Sequence, residues 1–99
     1  MGMSALDSFA ICRDALTTYG AERQVKKLFE EIGELQEALC KCIDGRDTVH
    51  HLAEEIADVQ IMLIQIAILH DCVDEVADFR RAKIERLEKR LEKEGAGNA

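Results

Sequence analysis

The chain is 99 residues long, carries a net charge of −7 and contains no proline. That length allows one domain, near the small end of what folds alone, and 47% hydrophobic residues supply a core. The acidic balance argues against nucleic acid or an anionic membrane as a direct partner, because both demand a basic surface. An anionic ligand stays open only if a metal stands between it and the protein.

Few aromatic or β-branched runs alternate with period two. The expected fold is therefore all-α, an antiparallel helical bundle, with residues 1–94 as a single domain and the tail 95–99 (GAGNA) disordered. The N-terminal "MGMSALDSF" has no basic stretch followed by an apolar core, so a secretory leader is not expected. It also misses the myristoylation pattern, since Leu6 stands where Ser or Thr is needed. The apolar run Val59 to Leu69 is too short for a bilayer and is interrupted by Gln60 and Gln65. These features predict a soluble, cytoplasmic protein. Cys12, Cys40, Cys42 and Cys72 include no C-x-x-C pair. Cys40 and Cys42 would point about 200° apart on a helix, so reduced structural thiols are expected.

The first helix is predicted from about Ser4 to Tyr19, stopping at Gly20, the residue type best suited to a left-handed C-cap. The second runs from about Ala21 to Ile43, with Val25, Leu28, Ile32, Leu35 and Leu39 making one apolar stripe. "DGRD" ends it, and Asp47 or Thr48 can cap the next helix. The third runs from about Val49 to His70 and is apolar on two sides. Leu52, Ile56, Val59, Leu63 and Ile66 form one stripe, expected to face the subunit's own core. Ala57, Ile61, Ile64 and Ile68 form another, about 150° round, expected to meet a second subunit. After the break "HDCVD", a fourth helix spans about Val73 to Lys93 on Phe79, Ile84, Leu87 and Leu91.

Beside the seams of the second and third helices lie two carboxylate pairs, Glu31 with Glu34 and Glu55 with Asp58. A short connection makes these helices antiparallel neighbours, which lets the pairs converge. Like charges about 4 Å apart cost about 4 kcal/mol at an effective dielectric of about 20, so such a cluster must take up protons or hold a cation. Oxygen ligands alone suit Mg²⁺ or Mn²⁺, whereas zinc would want His or Cys. Glu37 falls on the outer, solvated face. Glu30 and Glu54 point further outward than the pairs and are general-base candidates. His50 and His51 are expected at the surface, and His70 at a helix end, where it suits the dipole. No Gly-rich phosphate loop, nucleophile elbow or Cys/His dyad is present. Catalysis, if any, is metal-assisted attack by water.

Glu30-Glu31-x-x-Glu34, a twenty-residue spacer and Glu55-x-x-Asp58 resemble the EExxE…ExxD signature of the MazG-like all-α nucleoside triphosphate pyrophosphohydrolases. "KLFEEIGELQEAL" and "HLAEEIADVQIMLIQIA" look like that family's second and third helices, and "AKIERLEKRL" like the closing helix of short, often phage-related members. The resemblance spans about Ala21 to Leu91. It implies a bundle completed by oligomerisation, as a dimer or tetramer, that cleaves nucleoside triphosphates to a monophosphate and pyrophosphate. Carried over by position, Glu31, Glu34, Glu55 and Asp58 would hold Mg²⁺, with Mn²⁺ as the alternative ion. Glu30 or Glu54 would accept the proton of the attacking water. Lys27, Lys83 and Arg86 would meet phosphate oxygens. Two other readings fit the sequence: a non-catalytic divalent-metal-binding helical oligomer, and a helical interaction module using "KIERLEKRLEKE" as a coiled-coil partner.

Overall fold

The computed structural model describes residues 4–97, which form four α-helices: α1 (Ala5–Tyr19), α2 (Ala21–Ile43), α3 (Val49–Leu69) and α4 (Val73–Gly97). No strand occurs among the described residues, and none of their helices is long and apolar enough to cross a membrane. The fold is an all-helical, bundle-like arrangement. The last helix runs four residues past the predicted Lys93, since glycine at a fraying helix end breaks few hydrogen bonds. The final two residues of the expected tail, and the first three of the chain, lie outside the described residues.

Local chemistry sets each helix boundary. Ser4 caps α1, its hydroxyl accepting the Asp7 N–H at 3.2 Å. Gly20 alone joins α1 to α2 at φ 89°; open space surrounds it, so glycine is favoured there by backbone conformation and not by crowding. α2 ends in a Schellman motif, with Gly45 at φ 74° and the Arg46 N–H donating to the Lys41 carbonyl at 2.8 Å. Thr48 caps α3 by accepting the His51 N–H at 3.1 Å. α3 closes with the same motif on a non-glycine residue, Asp71, at φ 52°. There the Cys72 N–H donates to the Ala67 carbonyl at 2.9 Å and the Asp71 N–H to that of Ile68 at 3.0 Å. Aspartate is among the few side chains that adopt this region readily.

The antiparallel α2–α3 hairpin makes the largest interface; α1 lies against α3 and, less extensively, α2. Its buried seam matches the one predicted from hydrophobic periodicity only in part: Val59 is buried, and Val25, Leu28, Ile32, Leu35, Leu52 and Ile66 are half-buried. The residues turned fully inward are Gln24, Glu31 and Ala38 on α2, and Glu55, Val59, Met62 and Gln65 on α3. Ile56 and Leu63, expected in the core, are 42% and 51% exposed, and Leu39 is exposed as well. The seam is thus rotated toward the polar edge of the apolar stripe. Of the second α3 stripe, Ala57 and Ile61 are exposed while Ile64 and Ile68 are half-buried. Ile64 lines a cleft with Phe9 of α1 and Val73 and Val76 of α4, so part of the face expected to await a second subunit is covered from within.

Two glutamines inside the seam explain the rotation. The Gln24 Nε2 donates to Gln65 Oε1 at 2.7 Å, both side chains being buried. This bond joins the start of α2 to the end of α3 and fixes their register. The same register sets Glu31 and Glu34 opposite the Glu55–Asp58 turn.

α4 departs from the bundle. Its backbone approaches only α3, and the radius of gyration is 17.2 Å, against about 13 Å for a compact chain of this length. Phe79, Ile84, Leu87 and Leu91 all stay exposed.

Removing one amide strands its buried partner, at about 1–3 kcal/mol. Gln24→Ala should therefore lower the urea midpoint, whereas the paired change Gln24→Leu with Gln65→Leu should restore most of the loss or exceed wild type. Equal loss in both variants would mean that the hydrogen bond does not matter to the seam.

Candidate metal centre

Three carboxylates from facing helices meet in the middle of the α2–α3 seam. Glu31, Glu34 and Glu55 each offer an oxygen within 4.8 Å of the others. Their environments differ. Glu31 and Glu55 are buried and Glu34 is exposed, so the cluster has a dry floor and a wet rim. Asp58, the fourth expected ligand, is half-buried one turn beyond Glu55 and stands outside this group. Its side chain is one methylene shorter than glutamate and reaches less far across the seam.

Each buried carboxylate is held by one oxygen only. Lys27 Nζ lies 3.1 Å from Glu31 Oε1, and His51 Nε2 lies 3.2 Å from Glu55 Oε1. The other oxygen of each, Glu31 Oε2 and Glu55 Oε2, is buried with no hydrogen-bond partner. Native proteins seldom leave buried polar atoms unpaired, and each such atom costs about 1–3 kcal/mol or more when charged. Two of them in one cluster leave buried negative charge that a cation would offset. The side-chain set fits a hard divalent cation, being oxygen throughout with no thiol or imidazole among the three.

The electrostatics are those of crowded like charges. The charge of Glu31, close by, pushes the Glu34 carboxyl above its usual range, with burial and Glu55 adding to the effect. Two ionised carboxylates cannot hydrogen-bond each other; a proton on Glu34 would let it donate to Glu31. The hydrogen bond to Glu31 raises Lys27. His51 is raised first by its hydrogen bond to Asp47 and further by Glu55, and the same His51 contact holds Asp47 low.

His51 is a surface histidine as expected, its side chain 45% exposed, but both its ring nitrogens are engaged. Its Nδ1 lies 2.6 Å from Asp47 Oδ2 and its Nε2 contacts Glu55. The signal was present as Asp47, His51 and Glu55 at successive four-residue steps, which align on one helix face. Glu37 is exposed as expected, but it does not merely face solvent. It pairs with Lys41 at 2.7 Å, which lowers its pKa. Together with Glu34, Asp47, His51 and Glu55, the pair lines a pocket of ≈ 270 Å³.

The remaining assigned residues lie further out. Glu30 is exposed, with its carboxylate 3.9 Å from Lys27 Nζ, and Glu54 is exposed one position before Glu55. Lys83 and Arg86 are exposed on α4, which does not approach α2, so the subunit does not bring them into the cluster. His50 is exposed and His70 forms the C-cap of α3. All four cysteines are free; Cys12 alone is buried, and burial raises its thiol.

A raised carboxyl binds its proton more tightly folded than unfolded. Its effect on stability is therefore absent below the ordinary value of about 4.5 and grows unfavourable as pH rises through the elevated folded value. Glu34→Gln should accordingly raise the melting temperature in metal-free buffer, and raise it more at pH 8 than at pH 4.5. A variant that melts lower than wild type at pH 8 would mean that the cluster is not under repulsion.

Comparison with protein-family models, with curated proteins and with solved structures gives no match in any of the three. The MazG-like resemblance therefore stands on the acidic residues and their spacing.

Proposed function

We propose that this protein is a metal-dependent nucleoside triphosphate pyrophosphohydrolase of the MazG-like kind, converting (d)NTP to (d)NMP and pyrophosphate. The observation that carries the reading is the pair of buried, partnerless oxygens on Glu31 and Glu55, inside a carboxylate cluster spaced as in that family. Mg²⁺, or Mn²⁺ in its place, is the proposed ion, held by Glu31, Glu34 and Glu55 with Asp58 as fourth ligand. When bound, it would neutralise triphosphate charge and stabilise the charge that develops on the leaving pyrophosphate.

The chain's own groups have separable tasks in this reading. Glu31 and Glu55 supply fixed negative charge from a desolvated floor, where electrostatic attraction is strongest. Glu34, at the rim, has its carboxyl raised by the charge of Glu31 close by, a repulsion that a bound cation would relieve. Lys27 uses one N–H on Glu31 Oε1 and has others to offer a phosphate oxygen. Glu30 and Glu54, both in contact with water, are the proposed acceptors of the nucleophile's proton. Lys83 and Arg86 can serve phosphate only from a neighbouring copy's α4 or after α4 moves.

A homo-oligomer, dimer or tetramer, is part of the proposal. Phe79, Ile84 and Leu91 are 62%, 60% and 58% exposed along α4, and burying each would contribute roughly 1.5–3 kcal/mol. A stripe of this kind is what monomers avoid. It also favours the second reading, a helical interaction module or a metal-binding oligomer without catalysis, which pyrophosphate release would exclude. Cytoplasmic residence is proposed on the four free thiols.

A panel of NTPs and dNTPs with Mg²⁺ should yield pyrophosphate as the primary product, and chelation should abolish it. Glu31→Ala, Glu55→Ala and Asp58→Ala should each lower kcat/KM at least about 100-fold while far-UV circular dichroism stays unchanged. Release of inorganic phosphate alone, or full activity in Glu31→Ala and Glu55→Ala, would end the proposal.

Light scattering should report two or four times the chain mass of 11.1 kDa. Ile84→Glu should dissociate the assembly without lowering the helix content of the subunit; a wild-type monomer at micromolar concentration would count against it. Ile64 is a poorer probe, being half-buried within the subunit.

A further inference from the structure

We infer that His51 is a positioning residue. It clamps one oxygen of Glu55 so that the other stays aimed into the carboxylate cluster, and Asp47 in turn fixes the imidazole. The inference rests on the metal-binding reading above and deepens it.

Three residues at four-residue steps form a chain of hydrogen bonds along the first turns of α3. The Thr48 N–H donates to Asp47 Oδ1 at 2.7 Å. Asp47 Oδ2 lies 2.6 Å from His51 Nδ1 and Glu55 Oε1 lies 3.2 Å from His51 Nε2; the doubly protonated ring donates to both carboxylates. At the far end is Glu55 Oε2, buried and without a partner. Every member but that last oxygen is engaged. The imidazole uses both ring nitrogens, so it cannot rotate without losing one carboxylate.

Helix stability does not account for this arrangement. The N-cap of α3 is already provided by the Thr48 hydroxyl, so Asp47 is not needed in that role. A cation in the first turn of a helix opposes the macrodipole, which makes His51 a poor choice for stabilising α3 by itself. The arrangement makes sense as the support of a ligand. Outer hydrogen bonds of this kind fix the orientation of metal-binding side chains, and their loss typically costs about 10–100-fold in metal affinity.

Lys27 supplies the contrast. Its ammonium holds Glu31 Oε1 at 3.1 Å from a half-exposed, four-carbon stem. A point charge on so flexible a tether supplies charge more than direction. Glu31 is directed instead by its burial, 93% of its side chain being out of solvent. Glu55, nearer the hairpin end and beside the open pocket, is directed by the imidazole.

The test is Mn²⁺ affinity of the full chain, measured by electron paramagnetic resonance without nucleotide, in wild type and in three variants. Gln at position 51 can set its amide nitrogen close to the place of Nε2 and donate to Glu55. Asn can reach only the place of Nδ1, and Ala neither. His51→Ala and His51→Asn should therefore weaken Mn²⁺ binding about 10–100-fold. His51→Gln should stay closer to wild type than to His51→Ala, a rescue that a general loss of charge or of stability would not give. Wild-type affinity in His51→Ala and His51→Asn would overturn the positioning role. Equal weakening in Gln and Asn would overturn it as well. Failure of the wild-type chain to bind Mn²⁺ at all would overturn the metal reading and this inference with it. Binding by wild type that Glu31→Gln abolishes keeps the two questions apart.

Discussion

The antiparallel contact between α2 and α3 is the constraint on which the rest depends, because it buries polar groups where an ordinary helical hairpin buries leucines. Gln24 and Gln65 satisfy each other at one end. In the middle, Glu31 and Glu55 face each other across the seam, each with one oxygen left over. A hairpin built for stability alone would place aliphatic side chains at these positions, since well-packed hydrophobic residues often match or exceed buried ionic ones. The cost of the polar seam is concentrated where the carboxylates converge. Real proteins depart from local rules chiefly at functional or strained sites, and this departure is the strongest structural support for a functional centre here.

The groups around the cluster act as a graded support. Lys27 and His51 each neutralise part of the charge from outside, and neither fills the centre. The charge of Glu31 raises the Glu34 carboxyl above its usual range. Beyond the cluster, the pocket between α2 and the start of α3 carries both signs of charge, with Lys41 and His51 among the acids.

α4 is the part of the subunit least explained by the subunit. Its apolar side chains are exposed and its backbone meets α3 alone. Arg80 and Lys83 rim the same patch as Val76, Phe79, Ile84 and Leu87, so its basic residues follow the apolar face. An assembly that buried this face would carry those cations with it.

The amino-acid sequence by itself determined the helical class, the four helices and nearly all their boundaries. Those features are set by local chemistry: the Ser4 and Thr48 caps, Gly20 and Gly45 at positive φ, and the 3.6-residue recurrence of apolar positions. It also pointed to three of the acids that meet, Glu31, Glu34 and Glu55, since i, i+3 spacing on neighbouring antiparallel helices leaves little freedom. The tertiary structure decided the phase of the seam. Periodicity finds the centre of the apolar stripe, and Ile56 and Leu63 lie nearer that centre than Glu55 or Gln65. The pairing of Gln24 with Gln65 across 41 residues, with Glu31 and Glu55 between them, shows that polar side chains occupy the interior. Tertiary structure also decided that Asp58 stands apart from the other three carboxylates and that His51 joins their support. The first turns on side-chain reach, a matter of ångströms; the second follows the four-residue spacing of Asp47, His51 and Glu55, but which ring nitrogen meets which carboxylate is a matter of rotamer that spacing does not encode.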